Sequence, residues 1–421
     1  MSYIPLDKLS FGDSTDKDAF GRLRTSFAES LICIAQDVSY HPLTWDHYTA
    51  SGGTATHSTA TASTVLRTNA STSGARALRQ TKPYYRYVPG KTQLLKVTGT
   101  LRKGSVPSGT AFSALGYYDD ENGVFFRDSS AGVAVVTRSN VSGSVVDTAV
   151  LQSSWNVDKL DGTGPSGITV DWTKEQLFLI DLLWLGAGRV RFCLVFNGTV
   201  FPVHYSNYAN LITSVYMRTS SLPIRGEVFN SGGAGSDIQQ EFTCCSLEAE
   251  GGTTDEDYIP TAYSAYISSS FSADTTLRPV ATRRLRDTFN GRTVHGHSHL
   301  NEFTLLVGTN PVYWEIRYNT TVVIGSGGAA TTNNVDTTHS ISEYDTYTGA
   351  NNTVSGGLVI YNGLIGTGTG STKIAETAQG SDSQLKLGRT YSGVRDTYTF
   401  CARSVTGNAS LSIAVSLKEQ Y

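Results

Sequence analysis

The chain reads as all-β, with two antiparallel β-sandwich domains preceded by an extended N-terminal arm. Three observations predict this. Charged residues make up only 16% of the 421 residues, against roughly 25% in a typical domain, while Gly (42) and Tyr (22) are abundant. Thr, Val, Tyr and Phe favour pleated strands, and the plentiful Gly, Asn and Asp supply turns. No segment after residue 35 carries a persuasive helical period. At about 100–200 residues per domain, two or three folded units are expected, with cores that need neither metal nor disulfide.

Residues 1–35 form the arm. Phe20, Leu23, Phe27, Leu31 and Ile34 recur near helical spacing, yet Gly12, Gly21 and nearby Asp and Ser favour an extended segment ordered by a neighbour. Phe20, Arg22 and Arg24 are its candidate assembly contacts: an aromatic anchor and two guanidiniums suited to bidentate bonds with carboxylates. The alternative is that this segment packs on its own domain as an edge strand.

The first sandwich is expected over 36–252. Thr49–Thr64 is low-complexity Gly/Ala/Ser/Thr, a surface loop or edge excursion. Leu177–Trp184 is apolar on both faces apart from Asp181, which predicts a central strand. Asn197-Gly198 is a two-residue hairpin signal between Arg189–Phe196 and Thr199–Tyr205. It would set Val190, Phe192, Leu194 and Phe196 opposite Phe201, Val203 and Tyr205, with Arg189 and Arg191 on the other face. Glu250–Tyr258 is acidic and carries glycine, which suits a domain boundary.

The second sandwich is expected over 253–421. Trp314–Tyr318 and Leu358–Tyr361 read as strands, and Gly325–Asn334 and Gly363–Ser371 as loops. Leu411, Ile413, Val415 and Leu417 alternate with small residues. Thr406–Ala409 would fold this strand back on Tyr398–Ala402 and pair Phe400 with Val415.

Net charge is −3, so the electrostatic footprint of a nucleic-acid binder is missing. The longest apolar run, Leu177–Gly188, is far short of the ~20 residues of a membrane span. MSYIPLDKLSFGD lacks the basic and apolar regions of a signal peptide. Cys33, Cys193, Cys244, Cys245 and Cys401 are odd in number and lack zinc-type spacing, so reduced thiols and a cytoplasmic site of assembly are expected. No cofactor is implied.

Several clusters invite a chemical reading. Asp119, Asp120 and Glu121 would suit a glycosidase or calcium site, but adjacent acids beside Asn122-Gly123 fit a solvated turn better. Asp158, Asp161 and Gly162 lack the full calcium-loop pattern and suit a turn fixed by an Asp side chain. His295, His297 and His299 form the sharpest constellation. Strand alternation puts all three on one face, where a three-fold assembly would present them to a transition metal; an exposed strand is the plainer reading. Gly186–Gly188 and Gly366–Gly370 lack the Lys-Ser/Thr of a phosphate loop. Arg278, Arg283, Arg284, Arg286 and Arg292 make a basic patch, expected to pair with a neighbouring subunit's carboxylates. Tyr84, Tyr85 and Tyr87 are either a sugar-stacking platform or core. No G-x-S-x-G elbow is present, so no nucleophile is identified.

Asp18–Ser26 (DAFGRLRTS) and Gln152–Phe196 (QSSWNVDKLDGTGPSGITVDWTKEQLFLIDLLWLGAGRVRFCLVF) resemble a family of virion structural proteins from tailed bacteriophages. Gln80–Gln93, Gly116–Phe126 and Val215–Glu227 fit the same resemblance, and Leu277–Asn290 extends it more loosely. The strand–turn–strand units GYYDDENGVFF and GRVRFCLVFNGTVF also look similar to laminin-G-like modules, which implies a jelly roll of the concanavalin-like type for the first domain. The family resemblance implies a non-enzymatic part of a virus particle, whether capsid decoration, neck or collar, tail or fibre. Other virion proteins are its implied partners. Repeated copies, three-fold ones for a fibre or knob, would follow. The rival reading is a carbohydrate-binding adhesin that takes host glycans; a glycan hydrolase is a distant third.

Overall fold

The computed structural model describes the chain apart from residues 1–16, 18–27, 70–71, 233–236, 252–258, 268–275, 309, 350, 367–370 and 376–384. It is all-β. Among the described residues the helical content is a single 3₁₀ turn at Gln152–Ser154. No helix among them is long and apolar enough to cross a membrane. The chain divides into two compact units, residues 1–80 with 87–253, and residues 81–86 with 254–421.

The first unit is a sandwich of two large antiparallel sheets. One sheet runs, edge to edge, through Thr199–Asn207, Arg189–Phe196, Gln176–Leu183, Gln93–Thr100, Ile238–Glu250, Ser63–Thr68 and Thr54–Ser58; Ala28–Ile34 adds to Ile238–Glu250. The other runs through Val146–Leu151, Gly132–Ser139, Gly123–Ser129, Ala111–Tyr118, Ile224–Asn230, Ala75–Thr81 and Trp45–Ala50. Successive strands repeatedly cross from one layer to the other, the winding of a jelly roll. Alternation then sends every second side chain between the layers. There Phe126 lies 5.0 Å from Phe178 and 5.5 Å from Phe192, ring centroid to ring centroid. Leu66 and Ile238 of one sheet share a cluster with Ala77, Ala111 and Val228 of the other.

Gln176–Leu183 pairs on both sides and is central, as its two apolar faces predict. The Asn197-Gly198 hairpin forms as read, with φ of 51° and 76° at the turn. A bulge between Phe192 and Cys193 then shifts the pairing. Leu194 still meets Phe201, but Tyr205 moves to the face of Arg191, and the Arg189 guanidinium lies over its ring at 4.7 Å. The extra residue of a bulge turns one strand's alternation by half a period.

Two further expectations are corrected and a third, left open between two readings, is decided. Ala28–Ile34 is a paired strand of the first sheet, so the arm ends before it. Of the two readings of Thr49–Thr64, the edge excursion is the one found: Trp45–Ala50 and Thr54–Ser58 reach into it, each at the edge of its sheet. Gly325–Asn334 likewise contains the strand Ala329–Asn334.

The second unit packs a four-stranded sheet on a six-stranded one. The first has the order Ile259–Ile267, Leu411–Gln420, His297–Val307, Ser371–Ala375. The second has the order Ala329–Asn334, Ser342–Thr348, Arg278–Leu285, Thr397–Ser404, Val312–Tyr318, Leu358–Ile365. Leu411, Ile413, Val415 and Leu417 all point into the core, as their alternation predicts. The expected pairing of Phe400 with Val415 is wrong. The two strands lie in opposite layers: Phe400 pairs with Ala281 and Ile316, and Val415 with Tyr263 and Phe303. They meet across the core, where Phe303 lies 5.8 Å from Phe400 and 5.0 Å from Trp314.

Candidate functional site

A dense polar cluster of the first unit lies on the outer face of its seven-stranded sheet. Val228 points inward, so its neighbours Glu227 and Arg225 point outward, beside Arg76 and Gln80 of the adjoining strand. The Asp119–Gly123 turn brings Asp120 over them. Glu227 accepts from Arg76 Nε at 2.6 Å and lies 3.3 Å from the Tyr118 hydroxyl and 3.7 Å from Arg225 Nη1. Asp120 takes Arg76 Nη2 at 2.9 Å and Arg225 Nη1 at 2.6 Å. Gln80 accepts from Arg225 Nε at 2.8 Å. Burial, and then the Glu227 charge, hold the Tyr118 phenol well above its ordinary range, so it stays protonated. Two carboxylates are thus shared between two guanidiniums. The arrangement stitches three strands and a turn, and its polar atoms face one another.

The acidic turn is therefore not simply solvated. Asp119 is buried and accepts the backbone N–H groups of Glu121 and Asn122 at 2.8 and 2.7 Å, while Glu121 pairs with Arg218. The 152–172 loop follows the expectation of a turn fixed by an Asp side chain. Asp158, also buried, accepts from Leu160 N at 2.9 Å and Ser166 N at 2.8 Å. Asp161 binds Thr163 through backbone and hydroxyl. Trp155 packs edge-on to Trp172 at 6.2 Å, and Trp172 donates to Gln152 at 3.0 Å.

The histidines are not on an exposed strand. His297 and His299 begin the strand His297–Val307 and are buried, while His295 precedes it beside Tyr84 at 4.4 Å. The Tyr84 carbonyl lies 3.0 Å from His297 Nδ1. Burial, then the Lys386 charge, push the His297 pKa well below its ordinary value, so the ring is neutral. Among the described residues no group of three His, Cys, Asp or Glu side chains is placed to hold a metal ion. All five cysteines are free thiols.

The basic patch disperses. Arg283 is fully buried and Arg292 is exposed. Arg284 pairs with Glu343 at 2.7 Å and with Asp345 of its own chain, Arg286 binds backbone carbonyls, and Arg278 donates to the Asn352 carbonyl. For Arg284, the adjoining strand of the same chain supplies carboxylates of the kind expected from a neighbour. Tyr84, Tyr85 and Tyr87 are all buried, so they are not a sugar-stacking platform. Phe20, Arg22 and Arg24 lie outside the described residues, as do Gly368 and Gly370. Of the arm, Lys17 is described, and its carbonyl accepts a hydrogen bond from Arg191 of the first sheet.

Sequence reasoning missed the Arg76–Arg225–Asp120–Glu227 cluster. Its members are up to 151 residues apart, and their meeting depends on strand order. The faint signal was Arg225-Gly-Glu227, two opposite charges at strand period.

No family model and no curated protein sequence matches the chain. Among solved structures it is similar to a Bacillus licheniformis β-glucanase, at 10% identity over 53% of this chain and 98% of that one, with a TM-score of 0.34. Lectin II from Ulex europaeus gives 10% identity, 53% and 100% coverage and a TM-score of 0.31. The legume lectin-like domain from Entamoeba histolytica gives 10%, 51% and 95%, and 0.28. At such scores nothing of what those proteins do passes to this chain.

Proposed function

We propose that this protein is a non-enzymatic structural component of a tailed-bacteriophage particle, assembled in the host cytoplasm and working through packing between repeated copies and other virion proteins. The supporting observation is the 152–172 loop, the heart of the sequence resemblance, whose acids and tryptophans are spent on rigidity. Asp158 holds two backbone N–H groups, and Trp155, Trp172 and Gln152 lock against one another. A rigid surface that keeps its shape in every copy is what repeated shallow contacts require. Three-fold association would suit a fibre or knob.

The test uses particles lacking the protein and the purified full chain. Saturable binding at fixed stoichiometry, with no retention on host glycans, is the expected result. Retention on a glycan array without binding to particles would replace this reading with the adhesin. Release of reducing ends from host polysaccharide would make the chain a hydrolase.

A further inference from the structure

A guanidinium is buried in the first unit with no acid paired to it among the described residues. Arg79 stands on the strand Ala75–Thr81 and is fully buried, its side chain turned between the sheets. Its Cζ lies 4.1 Å from the centroid of the Trp45 ring and 5.4 Å from that of Phe242. Those two rings meet edge to face at 5.2 Å. Nη1 is satisfied, since the Tyr40 carbonyl accepts from it at 3.0 Å and His47 Nε2 at 2.7 Å. Nε and Nη2 are buried and, among the described residues, donate to nothing.

Two neighbours are in the same condition. Among the described residues, Trp45 Nε1 is a buried donor with no acceptor, and both ring nitrogens of His57 are buried without a hydrogen bond. Tyr40 ties the group together, its ring 4.4 Å from His47 and 6.4 Å from His57. Burial, then the charges of Arg79 and His57, bring the His47 pKa down to about 3, so this imidazole is an acceptor and no counter-ion. Burial also pulls the Arg79 pKa down to about 9; the groups that favour its charge are the Cys245 thiol and the Tyr40 phenol. Burial raises that thiol, which keeps it protonated.

Native cores meet buried donors with an ordered water or an ion. Water answers the hydrogen bonds but leaves the charge uncompensated in a low dielectric, whereas an anion answers both. We propose that Arg79, Trp45 and His57 bind a small monovalent inorganic anion of the chloride class. Arg79 Nε and Nη2 and Trp45 Nε1 would donate to it, with His57 in the tautomer that adds a further N–H.

Crystals of the full chain grown in sodium bromide, measured at the bromine edge, test this directly. An anomalous peak within hydrogen-bonding reach of Arg79 Nε or Nη2 is expected. Bromide at surface positions only, or a light-atom peak at the site, would overturn the proposal. In solution, the thermal midpoint should rise with chloride at constant ionic strength held by gluconate. Trp45→Phe keeps the guanidinium and should weaken chloride several-fold; Arg79→Met, if it folds, should abolish the response. A midpoint indifferent to chloride in the unaltered chain sinks the idea without any variant.

Discussion

Asp181 is the one charge in the apolar run Leu177–Trp184, and the sequence alone marks it as a residue in need of a partner. Its partner, Arg191, sits directly across the ladder and donates through Nε at 3.0 Å, both side chains only 3% exposed. Burial opposes the Arg191 charge, but Asp181 outweighs it and raises the pKa. Asp181→Ala should cost about 3–5 kcal/mol in urea unfolding, because it strands a buried guanidinium. Asp181→Leu with Arg191→Met should recover most of that. Histidines give a second prediction. His47 and His297 are neutral when folded and free to charge when unfolded, so below about pH 6.5 the unfolded chain binds more protons. Stability should be full above that pH and fall as acid is added, by up to roughly 1.4 kcal/mol per pH unit per histidine. Denaturant titrations at pH 7 and pH 5 check this; equal midpoints would contradict it. Arg79 was illegible beforehand. Alternation of Ala75, Ala77 and Arg79 places it on the inner face, yet an arginine there reads by composition as outward.

Strand identity came readily from alternation, and strand partnership did not. The Asn197-Gly198 hairpin was legible because the turn fixes its own register, whereas Thr397–Ser404 and Leu411–Gln420, joined by six residues, go to opposite layers. A local signal cannot say whether the chain turns back in one sheet or crosses to the other. The turns themselves make testable claims. Gly123 has a φ of 146°, and a Cβ there would fall 2.1 Å from that of Tyr118. Gly123→Ala should therefore cost about 3 kcal/mol, measured as a fall in the denaturant midpoint. In the 152–172 loop, Asp158→Ala leaves two backbone donors without their carboxylate. The expected loss is about 2 kcal/mol, with new proteolytic cleavage between Lys159 and Thr169. Unchanged protease resistance would show that the tryptophans alone hold the loop.

At the scale of the molecule, the units divide between Thr253 and Thr254, but the second also claims Thr81–Arg86 from far upstream. Glycine and acid in Glu250–Tyr258 mark a joint; nothing in QTKPYYRY announces an excursion, because its partners lie more than 200 residues away. Lys82 reaches Asp396, whose side chain is 3% exposed, at 3.4 Å. The Lys82 carbonyl accepts from Arg389 N at 3.3 Å, and Tyr84 meets His295 and the His297 ring. A second unit cut out as residues 254–421 thus lacks the cation that answers a buried carboxylate. Asn319 and Gly388 still donate to Asp396, at 2.7 and 3.2 Å, so the charge is not wholly abandoned. Lys82→Met in the full chain should accordingly destabilise the second unit by about 2–3 kcal/mol, near the lower end for a broken buried pair. The 254–421 fragment should melt lower than the same unit in the full chain, and a peptide spanning 79–88 added in trans should raise its midpoint. A fragment that melts at the full-chain temperature and ignores the peptide would show that the upstream segment merely rests on the unit rather than completing it.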